Sequence, residues 1–376
     1  MELLALKDIV LKKKWRCPLF MTKNIFNDLL ILELANNHWG SVDRGKKIID
    51  AFAKIARFHN VRCAIKLQIR HVETFIHQAF VNAEMKYIKK TRETALNDAD
   101  YALLAQYIKD SNCIPMATPF DERSVQFCGL LKLPIIKLAS SDINDWPLIE
   151  EVAKLKVPVI ASAGGSSQKD MDDLVGFFEK RGIPLALNHC VANYPTEDSD
   201  LQLNQIDYLK ERYPNITIGF SSHEFHNWWD SMLIAYGKGA RTFERHVDIP
   251  YEKKDHEVSP YCSLPEQIDL WMSALERAKQ LCGGTGARIP SEKEIQYLDA
   301  LVRGMYAKTD LTAGHDLQPG DVYFAIPLQK KQLSCRELTF GEVLLADIKK
   351  DAPVMFDDVD FPAIPSIKEK ILKRGF

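Results

Sequence analysis

Short apolar runs, several rich in β-branched residues, alternate along the chain with amphipathic stretches of helical period. The runs lie at 29–34, 62–67, 113–117 and 135–139, and continue at 158–161, 184–187, 216–220 and 240–243. Helical patterns fill the gaps at 45–58, 121–131, 147–155, 168–180, 203–212 and 227–238. Strand–helix alternation repeated eight times predicts an α/β fold, the (β/α)8 TIM barrel; eight strands suit closure better than an open, doubly wound sheet. Gly40, Gly164 and Gly239 punctuate joints between elements. The stretch 71–110 is longer than a connection needs and has helical period around 92–108. It reads as an insertion on the barrel's upper face.

The texture then changes. After a helix at 265–281, the segment 282–290 (CGGTGARIP) is rich in glycine but lacks the Gly-Lys-Ser/Thr ending of a phosphate loop, and reads as a hinge. From 301 to 360 short strands and turns take over, with Leu317-Gln318-Pro319-Gly320 the clearest turn. The expected organisation is an N-terminal extension at 1–28, a barrel at 29–285, a linker at 286–300, a small β-rich domain at 301–360 and a tail at 361–376.

Composition narrows the possible partners. A chain of 376 residues has room for one large and one small domain. Its 49 basic and 51 acidic residues leave a formal charge of -2, so there is no global basic field for nucleic acid. The cluster Lys12-Lys13-Lys14 with Arg16 is short and reads as a solvated segment. No apolar run nears the roughly 20 residues that span a bilayer, and charges interrupt the start where a signal peptide needs an apolar stretch. Eight scattered cysteines without a C-x-x-C pair suggest buried thiols. A cytoplasmic enzyme without membrane or nucleic-acid partners is the expectation.

In a TIM barrel, chemistry sits at the C-terminal ends of the strands, and these ends are strongly polar here. Strand one ends in Glu33, and strand two carries Lys66 and Gln68 on one face. Strand three runs into Thr118, strand four brings Lys137, Ser140 and Asp142, and strand five ends at Ser162. Strand six leads to Tyr194; strand seven gives Ser221 and His223, and strand eight gives Glu244 and His246. Lysines inside apolar runs are costly unless they meet an anion or reach solvent. Two of them among hydroxyls suit a phosphorylated, carboxylated small molecule. His223 and His246 end adjacent strands and can converge on one divalent metal, while satisfied core histidines are the plainer reading. Glu244 suits either a barrel lysine or Arg245. Asp255 falls in a charge run just past strand eight.

Taken in order, LELANNHWGS (32–41), AIKLQ (64–68), ATPFD (117–121), IIKLASSDINDWPLI (135–149), LNHCVANYPT (187–196), IGFSSHE (218–224) and FERHV (243–247) resemble the N-acetylneuraminate synthase family. Its members join phosphoenolpyruvate to an aldose to give nonulosonic (sialic-acid-like) keto acids. The stretch 303–360, with LTAGHDLQPGDV, resembles the antifreeze-like (SAF) domain attached to them. The resemblance implies that Lys66, Thr118, Lys137, Ser140, Ser162 and Ser221 hold phosphoenolpyruvate. It implies that His223 and His246 hold a divalent metal, usually manganese, with magnesium or cobalt as substitutes. Gln68, Asp142, Tyr194 and Asp255 would contact the sugar, Asp142 standing where glutamate is usual, and Glu33 matches the carboxylate near the reacting centre. A domain-exchanged homodimer is also implied.

Three departures accompany it. Ala192 stands where the family has an asparagine, unless Asn193 substitutes; Ser222 replaces an aspartate; and Ala325-Ile326-Pro327-Leu328 lacks the arginine that sialic acid enzymes offer to an N-acyl group. Other chemistries stay open. A synthase using a phosphorylated aldose would need further basic residues, and no cluster for a second phosphate is evident. A lysine Schiff-base aldolase and a non-catalytic carbohydrate-binding protein are the remaining alternatives. A metal hydrolase is disfavoured, because strand one lacks an H-x-H pair.

Overall fold

A computed structural model describes residues 24–251, 257–337, 341–360 and 365–374, so Asp255 and the 12–16 basic cluster lie outside the described residues. The chain divides into two compact units between Gly283 and Gly284.

The first unit is a closed barrel of eight parallel strands in sequence order. Its elements run β1 (Leu29–Ala35), α1 (Val42–Phe58), β2 (Cys63–Ile69), α2 (Val72–Phe75), α3 (Lys86–Glu93), α4 (Asp98–Asp110) and β3 (Ile114–Pro119). They continue through α5 (Glu122–Leu130), β4 (Ile136–Leu138), α6 (Trp146–Lys154), β5 (Val159–Ser162), α7 (Gln168–Lys180) and β6 (Leu185–Cys190). The unit ends with α8 (Gln205–Arg212), β7 (Thr217–Ser222), α9 (Asp230–Lys238), β8 (Thr242–His246) and α10 (Pro265–Cys282).

Alternation along the strands separates two kinds of interior. Outward residues such as Leu30, Leu32, Ile65 and Leu67 join the helices' apolar faces in the main core. Inward residues Leu29, Ile31, Ala64, Ile114, Met116, Ile135, Ile160 and Ala186 form a smaller core, joined by Phe26. The segment just before β1 is therefore part of the barrel. Arg62 fastens it by donating to the Asn27 and Ile25 carbonyls, both at 2.7 Å. One step further along the same inward rows stand Glu33, Lys66, Thr118, Lys137, Ser162, Asn188 and Glu244, all buried. An apolar floor thus supports a polar upper layer.

Local signals moved several expected boundaries. The helical period read at 92–108 is two helices, because the Asn97 side chain accepts from the Asp100 amide and starts α4 afresh. Trp228 and Trp229 precede α9, where the Asn227 side chain accepts from the amides of Trp229 and Asp230. His71 anchors the insertion through Ser124 and Asp98, at 2.8 Å each.

The second unit contains α11 (Glu292–Asp299), which occupies the stretch expected as linker and is capped by Ser291. The antiparallel pairs β9 (Gly304–Ala307) with β10 (Val322–Ala325) and β11 (Val343–Leu344) with β12 (Val359–Asp360) follow. Its core gathers Met305, Leu317, Leu333, Leu344 and Val354, and includes Ile371 of α12 (Pro365–Lys373), within the expected tail.

Gly219 in β7 marks a close approach inside the barrel. A Cβ there would collide with Thr242 Oγ1 and Asn188 Oδ1, which are themselves hydrogen-bonded at 2.6 Å. Gly219→Ala should therefore cost about 1–3 kcal/mol of stability by overpacking. Urea unfolding would show a lowered midpoint, and a wild-type midpoint would contradict this packing.

Candidate active site

The polar layer is organised around charge. Register places Glu33 opposite both Lys66 and His246. The Lys66 ammonium pairs with Glu33 and donates to Thr118 Oγ1 at 2.9 Å. Lys137 donates to Ser162 Oγ at 2.7 Å. Glu244 lies between the two lysines, 3.4 Å from Lys66 and 3.3 Å from Lys137. Burial lowers the Lys66 pKa to about 7, with Glu244 opposing the fall. Burial alone would raise the Glu244 carboxyl; the charges of Lys137 and Lys66 outweigh it and hold the group below its ordinary value. With both lysines protonated, two cations and two anions make a neutral, desolvated cluster. Because Thr118 and Ser162 accept from lysines, their own hydroxyl protons stay free to donate.

Beside this cluster, the His223 and His246 ring centres are 5.3 Å apart. The Val191 carbonyl meets His223 Nδ1 at 2.9 Å, which assigns the proton to that nitrogen and leaves Nε2 as an acceptor. Burial pushes His223 down to about 4 and holds His246 well below its ordinary value. Both rings are therefore neutral, the form that binds a divalent metal. Among the described residues, no third His, Cys, Asp or Glu completes a cluster. The donor set fits a transition metal held by two imidazoles, with its other positions left to water and substrate.

The remaining candidates are distributed around the mouth. Tyr194 packs its ring 4.1 Å from that of His223. Tyr261, which the sequence reading passed over, sits 5.3 Å from Tyr194 and 5.2 Å from His246, ring to ring. Ser140 Oγ accepts from the Gly164 amide at 3.1 Å, and Ser221 lies buried opposite Glu244. Burial pushes Asp142 up to about 6, and its Oδ2 has no hydrogen-bond partner among the described residues. Gln68 accepts from Arg70 at 2.9 Å.

The doubtful positions also resolve. Arg245 is held by Glu224 at 2.9 Å, which leaves Glu244 to the lysines. Asn193 is exposed and reaches Asp200 at 3.4 Å. His38 accepts from the Gly40 amide and His189 meets the Leu201 carbonyl, each engaged with backbone. A cavity of about 770 Å3 opens between α8 and α9, lined by Leu201, Tyr208 and Ile234, and holds none of the strand-end lysines or histidines.

Comparison with known proteins follows the same lines. A profile described as NeuB family matches residues 54–286. The N-acetylneuraminate-9-phosphate synthase of Drosophila melanogaster is 30% identical over 261 residues, 66% of this chain and 68% of that one. The N,N'-diacetyllegionaminic acid synthase of Campylobacter jejuni is 23% identical over 86% of this chain and 97% of its own. A crystal structure of a Chromobacterium violaceum protein assigned to spore coat polysaccharide biosynthesis superposes with a TM-score of 0.84 at 35% identity. It covers 89% of this chain and 99% of that one.

The depressed pKa of Lys66 gives a sign to anion binding. A small dianion favours the ammonium form, so above pH 7 it must bring a proton with it. Sulfate, which does not itself titrate in this range, should bind more weakly as pH rises from 7 to 9. Calorimetry in buffers of different ionisation enthalpy should register proton uptake at pH 8, lost in Lys66→Met. Binding that is flat with pH would contradict the role given to this lysine.

Proposed function

The chain belongs to the NeuB family, and we propose that it condenses phosphoenolpyruvate with an N-acyl hexosamine or related aldose to a sialic-acid-like keto acid and phosphate. One observation carries the reading: two buried lysines, each bonded to a strand-end hydroxyl, lie beside a neutral histidine pair at the mouth of one barrel.

The chemistry follows from these positions. Lys66 and Lys137 offset the charge of the phosphate and carboxylate, with Thr118, Ser140, Ser162 and Ser221 donating to their oxygens. Gln68, Asp142 and Tyr194 hold the open-chain sugar so that its aldehyde carbon faces carbon three of phosphoenolpyruvate. That carbon attacks the aldehyde carbon, and the aldehyde oxygen takes up a proton. Water adds at carbon two, and the carbon–oxygen bond to phosphate then breaks. Glu33, paired with Lys66, manages the proton or the attacking water. His223 and His246 would hold a divalent metal, manganese by family resemblance, whose Lewis acidity polarises the aldehyde oxygen.

Phosphate release from phosphoenolpyruvate with manganese, across plain, N-acyl and phosphorylated aldoses, tests this reading. Release that depends on an acceptor sugar is expected, and silence across the panel would overturn it. Manganese retention followed by electron paramagnetic resonance should fall in His246→Ala, whatever the activity.

The second unit supports two finer parts of the reading. We assign it the role of the antifreeze-like domain, although the stretch Ala325-Ile326-Pro327-Leu328 carries no arginine. Two chains are expected to pair through it. Light scattering at micromolar concentration should give a dimer, and an active monomer would contradict the pairing. Among the described residues, no helix is long and apolar enough to cross a membrane.

A further inference from the structure

Just past the end of the strand that carries Lys66 and Gln68 stands a third polar group, Arg70, at the same two-residue spacing. Lys66, Gln68 and Arg70 are two residues apart, and the ladder continues past Gln68, with the Phe120 amide donating to the Ile69 carbonyl at 3.2 Å. At about 3.3 Å per residue, Arg70 stands roughly 13 Å along the chain from Lys66, on the side away from the apolar floor. The Tyr101 hydroxyl, from α4, fixes this backbone by donating to the Gln68 carbonyl at 3.0 Å.

The guanidinium is held but not neutralised. Its Cζ lies 3.7 Å from the centre of the Phe120 ring and 5.8 Å from that of Phe75. One N–H donates to Gln68 Oε1 at 2.9 Å. Among the described residues no carboxylate comes within ion-pairing distance of it; Asp142 and Asp121 act only at longer range. Burial lowers its pKa to about 10, a sign of how little water surrounds the charge. A guanidinium stacked on an aromatic ring keeps its planar fork of donors aimed along the ring plane, the geometry that receives a phosphate or carboxylate on two bonds.

If the synthase reading is right, Lys66 marks the reacting end of the site and Gln68 the body of the sugar. Arg70 then meets what lies beyond. We propose that Arg70 is a specificity-determining residue that recognises an anionic oxygen group, a phosphate ester or a carboxylate, at the end of the acceptor sugar farthest from its aldehyde. The sequence offered no basic cluster for such a group because a single arginine suffices where a ring and an amide pre-orient it. The legible signal was the spacing of Lys66, Gln68 and Arg70.

The test compares phosphoenolpyruvate consumption with N-acetylmannosamine, its 6-phosphate and the corresponding 6-carboxylate. At least one anionic sugar should exceed the plain sugar by about tenfold or more in kcat/KM, and which one does so identifies the group. Arg70→Gln should raise KM for that sugar about tenfold, well beyond any change in KM for phosphoenolpyruvate. Arg70→Lys should recover part of the loss, and circular dichroism checks that both variants fold. Equal use of plain and anionic sugars, or an Arg70→Gln variant with the wild-type preference, would overturn the assignment. Turnover with the plain sugar alone defeats it and leaves the synthase reading standing; no turnover with any of the three defeats both.

Discussion

A lysine ammonium buried among aliphatic strands costs several kcal/mol unless charge and hydrogen bonds meet it, and this barrel carries two. Lys66 and Lys137 are stabilised by Glu33 and Glu244, with Thr118 and Ser162 accepting from them. Each partner comes from a different strand, so the cluster exists only when the barrel is closed. Closure in turn depends on the register of β1 with both β2 and β8, which sets Glu33 between Lys66 and His246. The internal neutrality of the cluster also explains how it can serve an anion. An incoming phosphate or carboxylate competes with Glu33 and Glu244 for cations that are already desolvated and positioned, so little reorganisation is left for the reaction itself.

The histidine pair depends on the same layer. His246 follows Glu244 by two residues on β8, and burial keeps both imidazoles neutral and able to coordinate. Tyr194 and Tyr261 pack aromatic rings against the pair. Arg245, one residue along, faces the opposite way and is fixed by Glu224 and Ser263. Alternation therefore gives neighbouring residues of β8 separate surroundings: Glu244 faces the lysines and His246 faces His223, while Arg245 holds the strand end.

The eight strands were legible because short apolar runs, several of them rich in β-branched residues, alternate with helical stretches, and the charged residues inside them stood out against their neighbours. What the sequence hid was partnership. Glu244 reads equally well as a partner for Arg245 until the register shows it between two lysines, and Tyr261 carries no local signal because a loop brings it to Tyr194. Phe26 lay in what looked like an extension, since one aromatic before a strand does not announce that it plugs a barrel. The insertion was visible as excess length, but its division at Asn97 depends on a single capping side chain. Ile371 likewise joins the second unit's core from a stretch whose composition reads as a tail.

The central claim is that this layer holds phosphoenolpyruvate so that carbon two takes water and the phosphate departs with its bridging oxygen. Turnover of phosphoenolpyruvate labelled with oxygen-18 in the bridging position, with the products analysed by mass spectrometry, tests it directly. The account predicts that the label leaves in the inorganic phosphate. Label retained in the keto acid would mean that the phosphorus–oxygen bond breaks instead, and would contradict the mechanism assigned to these residues.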